Sequence, residues 1–296
     1  PTDSRRMING NDGGASITLD GGKSWSTQDN QPTAQFYHVS VDGRDPYQVY
    51  GGLQDNSSWV GDSAYPGGIT NSRWENLYGG DGFWVHSDPA DEYYTYAAVQ
   101  GGFISRIDRR TLENRLIQPL ANYKEKLRWN WNTPIHVSPN EKGTIYIGSQ
   151  FLFRSRDQGQ SWDRISPDLT TNDKSKQRQE ESGGITVDNS AAEMHTTIYS
   201  ISESPKDANT IWVGTDDGNI QLTRDGGKTW TKVNTGLPSE ELGRIGLAIS
   251  PQNPDVLYAL VEAANRRGGF YRSSDGGVTW ERRADYAQGN MYYGTI

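Results

Sequence analysis

The sequence predicts an all-β protein assembled from repeated four-stranded sheets, and three observations predict it. A turn of pattern Ser/Thr-x-Asp-x-Gly-x-Ser/Thr-Trp occurs four times, at Thr18–Trp25, Ser155–Trp162, Thr223–Trp230 and Ser273–Trp280. Beneath it runs a second repeat. Turn anchors at Pro1, Gly43, Pro89, Pro139, Pro205 and Pro251 are each followed seven residues later by a bulky residue: Ile8, Tyr50, Tyr96, Tyr146, Trp212 and Tyr258. Composition agrees, because 34 Gly, 16 Tyr and 10 Trp in 296 residues favour strands and turns, and no long stretch carries helical periodicity.

In each copy of the turn, the Asp carboxylate (Asp20, Asp157, Asp225, Asp275) is expected to accept backbone N–H groups across a tight hairpin. The following Gly supplies positive φ, and the Trp (Trp25, Trp162, Trp230, Trp280) buries a large ring beside its own turn. The anchors lie 42 to 66 residues apart, the length of one four-stranded blade of a β-propeller. In the unit starting near Pro139, His136–Ser138 ends strand A, Thr144–Gly148 is strand B, Phe151–Arg154 is strand C and Trp162–Ile165 is strand D. The Asp-box turn falls between C and D.

Six blades over one propeller domain, 1–296, are expected, with seven blades or a stretch of a larger array as alternatives. Met291–Ile296 reads as a strand A that completes the first blade, and such closure removes open sheet edges. Ser105–Asp108 reads as a decayed Asp box. The long interval after Pro139 holds a polar insertion loop, 166–194.

A net charge of −8 without a basic stripe disfavours nucleic acid. With no cysteine, disulfides, thiolate zinc sites and cysteine nucleophiles are excluded. No apolar run is long enough for membrane insertion, and a start at Pro1 without a signal reads as a mature or excised piece or as part of a larger polypeptide or assembly. The four histidines, His38, His86, His136 and His195, show no paired metal spacing, so no metal or other cofactor is expected; calcium at Asp216-Asp217 stays open without an EF-hand pattern to support it.

Strand order puts the A–B and C–D turns on one face of a blade and the B–C loops on the other, where a site is expected. Eleven residues after every anchor stand Asp12, Gln54, Gln100, Gln150, Asp216 and Glu262. They are read either as caps bonding to nearby backbone N–H groups or as a polar ring around a central mouth, with Asp55, Asp81 and Asp217 adding carboxylates. Trp59 and Trp74, in the Gly/Ser-rich segment 56–82, are read as rings in an irregular loop, either packed beneath it or available for sugar stacking.

Asp boxes in blades resemble the BNR repeat families: sialidases, xyloglucanase-type glycosidases, sortilin/Vps10-type receptors and photosystem II assembly factors. The segments Gly10–Gly14, Gly52–Asn56, Ile165–Thr170 and Gly214–Gly218 look most like secreted bacterial proteins of sortilin-like or BNR-repeat glycosyl-hydrolase type. That resemblance implies an extracytoplasmic binding or scaffold module for protein, peptide or carbohydrate, working through the B–C face. The alternative is a glycoside hydrolase with a carboxylate pair drawn from Asp81, Asp216, Asp217, Glu262 and Glu203. A sialidase is not expected: its early Phe/Tyr-Arg-Ile-Pro segment is missing, and Arg128 and Arg244, placed in inner strands, lack a third arginine.

Overall fold

The computed structural model describes residues 3–11, 14–27, 34–119, 125–178, 181 and 194–285. Among these the chain is a β-propeller of antiparallel meander sheets, five of them four-stranded and one two-stranded, in sequence order. The first sheet pairs β1 (Met7–Asn11) with β2 (Gly14–Thr18). The second holds β3 (Phe36–Val41), β4 (Gln48–Leu53), β5 (Ser58–Asp62) and β6 (Trp74–Tyr78). The third holds β7 (Gly82–Ser87), β8 (Tyr94–Val99), β9 (Ile104–Asp108) and β10 (Glu113–Leu116). The fourth holds β11 (Ile135–Val137), β12 (Ile145–Gly148), β13 (Leu152–Ser155) and β14 (Asp163–Arg164). The fifth holds β15 (Ile198–Ser204), β16 (Asp207–Thr215), β17 (Ile220–Thr223) and β18 (Thr231–Lys232), and the sixth β19 (Leu242–Ile249), β20 (Leu257–Ala263), β21 (Gly269–Ser273) and β22 (Glu281–Ala284). Four short 3-10 turns are the helical content of the described residues.

Every residue seven beyond an anchor lies in a strand, Ile8 in β1 and the other five in the second strands of their sheets: Tyr50 in β4, Tyr96 in β8, Tyr146 in β12, Trp212 in β16 and Tyr258 in β20. The middle four are fully buried, and each joins an apolar cluster shared with the next sheet. Tyr50 packs with Val85 and Ala97, Tyr96 with Ile135 and Ile145, Tyr146 with Ile198 and Ile211, and Trp212 with Ile245 and Leu257. The core is therefore a series of layers between sheets, as apolar faces on both sides of a strand require. A buried phenol also needs a partner. The Tyr96 hydroxyl donates to Asp88 Oδ2 (2.7 Å), and the Tyr50 hydroxyl to Asp42 Oδ2 (3.0 Å).

Two expectations are corrected. Ser105–Asp108 is not a turn but most of strand β9, with the reversal following at 109–112. Trp59 and Trp74 sit in strands β5 and β6, not in an irregular loop; the Gly and Ser around them hid the strand pattern. Glycine serves there because the Trp74 ring lies flat on Gly61, where a Cβ would come within 2.5 Å of the indole. The proposed ring closure by Met291–Ile296, and the anchor Pro1, lie outside the described residues.

The four Asp boxes share one geometry. In the fifth sheet the buried Thr223 hydroxyl donates to Asp225 Oδ1 (2.8 Å) and accepts the Gly227 N–H (2.9 Å), while Asp225 accepts the Thr229 N–H and hydroxyl. The hydroxyl bonds from Ser24 and Thr229, more than any other contact, hold the Asp20 and Asp225 carboxyls down at about 2. The residue after the Asp donates its N–H to the backbone at or just ahead of the start of the strand two before the turn's outer strand: Gly21 to Arg5 ahead of β1, Gln158 to Gly143 ahead of β12, Gly226 to Asn209 early in β16 and Gly276 to Asp255 ahead of β20. Thr223→Val should leave the Gly227 donor unpaired and cost about 1–3 kcal/mol, read as a lower urea midpoint.

The Trp reaches further than its own turn. Trp162, Trp230 and Trp280 donate their indole N–H to the carbonyls of Ile117 (2.7 Å), Ile165 (3.1 Å) and Val233 (2.9 Å). These acceptors directly follow β10, β14 and β18, the outer strands of the preceding sheets, so each ring staples two neighbouring blades. Trp25 has the same motif, but its ring is 45% exposed.

Candidate functional site

The B–C face is built by one recurring bond. Each described residue eleven beyond an anchor holds the start of the first strand of its own sheet, or the segment leading into it. The Tyr37 hydroxyl donates to Gln54 Oε1 (2.6 Å), the Asp81 N–H to Gln100 Oε1 (3.1 Å), and the Arg128 N–H to Gln150 Oε1 (2.8 Å). The Thr197 N–H donates to Asp216 Oδ1 (2.8 Å) and the Arg244 N–H to Glu262 Oε2 (3.3 Å). Asp12 lies outside the described residues. Amides and carboxylates recur at this position because a second-strand end must present an acceptor to a neighbouring donor, a backbone N–H in four sheets and the Tyr37 hydroxyl in the second.

The centre of this face is crossed by the segment 125–134, which precedes β11. Asn132 reaches His38 of the second sheet (Nε2 to Oδ1, 3.1 Å), and Asn130 donates to Asp216 Oδ2 (3.2 Å) in the fifth. Arg128 donates to the Thr196 carbonyl (3.0 Å) and pairs with Asp168 (2.8 Å). Arg128 is thus in this connection and not in an inner strand, whereas Arg244 is in β19 and pairs with Glu262 (3.1 Å). Below the segment, imidazole and indole rings stack: His38 on Trp84 at 3.7 Å, and Trp84 on His86 at 5.7 Å.

The acidic candidates fall into two separate groups. Asp216 is buried under Thr197 and Asn130, and burial pushes its carboxyl up to about 7 against the hydrogen bonds that favour its charge. Its neighbour Asp217 accepts the Thr171 N–H and hydroxyl (both 2.7 Å), so the described start of the polar insertion is pinned over this pair. Lys176 pairs with Glu241 and Gln177 donates to Thr196 Oγ1 (2.9 Å), extending the insertion over the fifth and sixth sheets. Residues 179, 180 and 182–193 of the insertion lie outside the described residues.

Asp55 and Asp81 form the second group, at the junction of the second and third sheets. Asp81 accepts the Asp55 N–H (2.6 Å), and a hydrogen bond between the two carboxyls, with some burial, raises the Asp55 pKa. The third sheet's B–C loop, where Gln100 accepts the Asp81 N–H, meets aromatic residues. Gly101 donates to the Trp131 carbonyl (3.2 Å), the Trp129 ring fills the place where a Gly102 Cβ would stand, and the next residue, Phe103, is 50% exposed. Phe103, Trp129 and Trp131 escaped the sequence reading; the alternating run Arg128-Trp129-Asn130-Trp131-Asn132 was the available signal.

Trp59 and Trp74 stand apart from this patch. Strand alternation puts Trp59 and Gly61 on the side of β5 opposite the buried Val60, away from the third sheet. Trp59 donates to the Asn56 carbonyl (2.6 Å) and Trp74 packs on Phe36 at 5.8 Å. Glu203 ends β15 on the other face, where it accepts the Ser138 hydroxyl (2.9 Å). No cluster of three or more His, Asp or Glu able to hold a metal occurs among the described residues, and no helix there is long and apolar enough to cross a membrane.

Residues 150–295 match the Sortilin-Vps10 family model, described as sortilin, neurotensin receptor 3. An oligoxyloglucan-reducing end-specific xyloglucanase of Emericella nidulans is 36% identical over 83 residues, which are 26% of this chain and 10% of that protein. A probable enzyme of the same description from Neosartorya fischeri is 33% identical over 81 residues, 26% of this chain and 9% of its own. The matched segments thus span about a tenth of these relatives. Among solved structures, YCF48 from Cyanidioschyzon merolae aligns over 97% of this chain and 88% of its own with TM-score 0.53 and 15% identity, a likeness of fold. Repeated sheets in blade register and the match over residues 150–295 agree: the fold is a β-propeller, and the second half of the chain is similar to the Sortilin-Vps10 family.

Proposed function

We propose that the chain is an extracytoplasmic recognition module that binds carbohydrate through the B–C face, at the junction of the second and third sheets. The observation that carries this reading is the Asp55–Asp81 contact, in which Asp81 accepts the Asp55 N–H, on the same face as the exposed Phe103 that ends the third sheet's B–C loop. Carboxylate oxygens accept from hydroxyl groups, and an exposed aromatic ring offers a flat apolar surface to the C–H face of a sugar. The xyloglucanases among the relatives make xyloglucan and cello-oligosaccharides the first probes.

The same relatives favour a second reading, glycoside hydrolysis. Paired catalytic carboxyls stand about 5–5.5 Å apart in retaining enzymes and about 6.5–9.5 Å in inverting ones. Asp55 and Asp81 are in direct hydrogen-bond contact, closer than either, which argues for binding. Calorimetric titration with xyloglucan oligosaccharides should give saturable heat that Phe103→Ala or Asp81→Asn reduces at least tenfold, with no release of reducing ends. Turnover lost in Asp81→Asn would replace the binding reading with the hydrolase, and equal affinity in all three proteins would remove this patch from consideration.

A further inference from the structure

The third sheet's B–C loop, which presents Phe103, is clamped from two sides. The Val99 N–H donates to the Phe103 carbonyl (2.9 Å), the Gly101 N–H to the Trp131 carbonyl (3.2 Å), and the buried Gln118 amide to the Gly101 carbonyl (3.4 Å). Gly102 has φ 79°, and a Cβ there would stand 2.7 Å from the Trp129 ring and 2.9 Å from the Gln118 amide nitrogen. The turn is therefore pressed against its supports with no side chain between.

The support on one side is segment 125–134, which forms neither strand nor helix. No ladder of backbone bonds holds such a segment, so its side chains must. The rings of Trp129 and Trp131 turn to the fourth and third sheets, meeting Phe153 at 6.1 Å and Phe83 at 6.5 Å. Asn130, between them, is 6% exposed and points to the fifth sheet, where its amide donates to Thr197 Oγ1 (2.9 Å) and Asp216 Oδ2 (3.2 Å). Its own side-chain oxygen accepts the Asn132 N–H (2.9 Å), and its carbonyl accepts the Thr133 hydroxyl (2.6 Å). One side chain thus shapes the bend at Trp131 and ties it to a sheet two blades from the loop.

We propose that Asn130 is a positioning residue of the sugar site: by fixing segment 125–134 on the fifth sheet it fixes the Trp131 carbonyl and the Trp129 ring, and through them the loop that presents Phe103. The inference rests on the carbohydrate reading of this face. A stacking ring is most effective when its loop is ordered before the ligand arrives, because ordering it on binding would be subtracted from the affinity. Asn130 touches no ligand in this scheme. Its contribution passes through Phe103, so the effects of the two residues on affinity must be coupled.

The experiment is a double-mutant cycle of Asn130→Ala and Phe103→Leu in the full chain, read by calorimetric titration with xyloglucan oligosaccharides and by urea unfolding. Asn130→Ala alone should weaken binding about fivefold or more, yet by less than about twofold in the Phe103→Leu background, while the urea midpoint falls equally in both. Gln118→Met removes the amide contact on the loop's other side and gives the same affinity readout should Asn130→Ala fail to fold. A loss of equal size in both backgrounds, or full affinity in whichever of these variants folds, overturns the positioning role and leaves the sugar site standing. Full affinity in both Phe103→Leu and Phe103→Ala removes the sugar site, and this role with it.

Discussion

Trp280→Ala is expected to lower the unfolding free energy by about 3–5 kcal/mol, while Trp25→Ala, the same substitution in the same motif, should cost about 0.5 kcal/mol or less. Trp280 is 4% exposed, lies in the largest inter-sheet cluster with Trp212 and Leu257, and donates to the Val233 carbonyl of the preceding sheet. Its removal opens a cavity between two blades and leaves a carbonyl without its donor. Trp25 is 45% exposed and borders the two-stranded sheet, whose β1 is exposed along its whole length. Urea titration of both variants reads the contrast directly. Equal losses would mean that the ring acts within its own turn and not between blades.

Acidification provides the second large effect. His38, His86 and His136 are held neutral in the structure, chiefly by burial, with pKa values depressed to about 3, about 4 and about 3. An unfolded chain takes up protons near the ordinary imidazole value of about 6.5, so between there and about 4 the unfolded state binds protons that the native state does not. Stability must fall across that window as pH falls. Each group contributes up to about 2 kcal/mol at pH 5. Asp216 opposes them: with a folded pKa of about 7 against an ordinary value of 3.8, it is protonated in the native state first, so acidification favours the native state there. The net expectation is a loss of about 2–4 kcal/mol between pH 7 and pH 5, measured as a falling urea midpoint. A midpoint that rises over this range would show Asp216 outweighing the imidazoles.

Much of the architecture was legible because strand and turn signals are local. In the unit near Pro139, the anticipated strand ends fall within a residue or so of β11, β12, β13 and β14, since turn residues and alternating apolar residues bound each strand. Local cues also explain the errors. In the second sheet, Gly61 sits under Trp74 and reads as loop until its neighbour is known. In the third, Ser105 and Asp108 mimic half an Asp box without the glycine and tryptophan that close it. The carboxylate candidates could be enumerated but not grouped, because nothing local says that Asp55 meets Asp81, 26 residues on, or that Asn130 meets Asp216, 86 residues on.

By itself, then, the sequence determined the repeating strand-turn unit: a tryptophan or tyrosine seven residues past each of four anchors becomes the buried centre of a layer, and a carboxylate in the Asp box collects the N–H groups of its own turn. Only the tertiary structure decided which blade each ring enters, which acids meet, and that segment 125–134 crosses the expected central mouth. The physical reason is range. Hydrogen bonds that shape a turn act between residues a few positions apart, whereas burial and carboxyl pairing depend on contacts between blades whose positions follow from packing of the whole array.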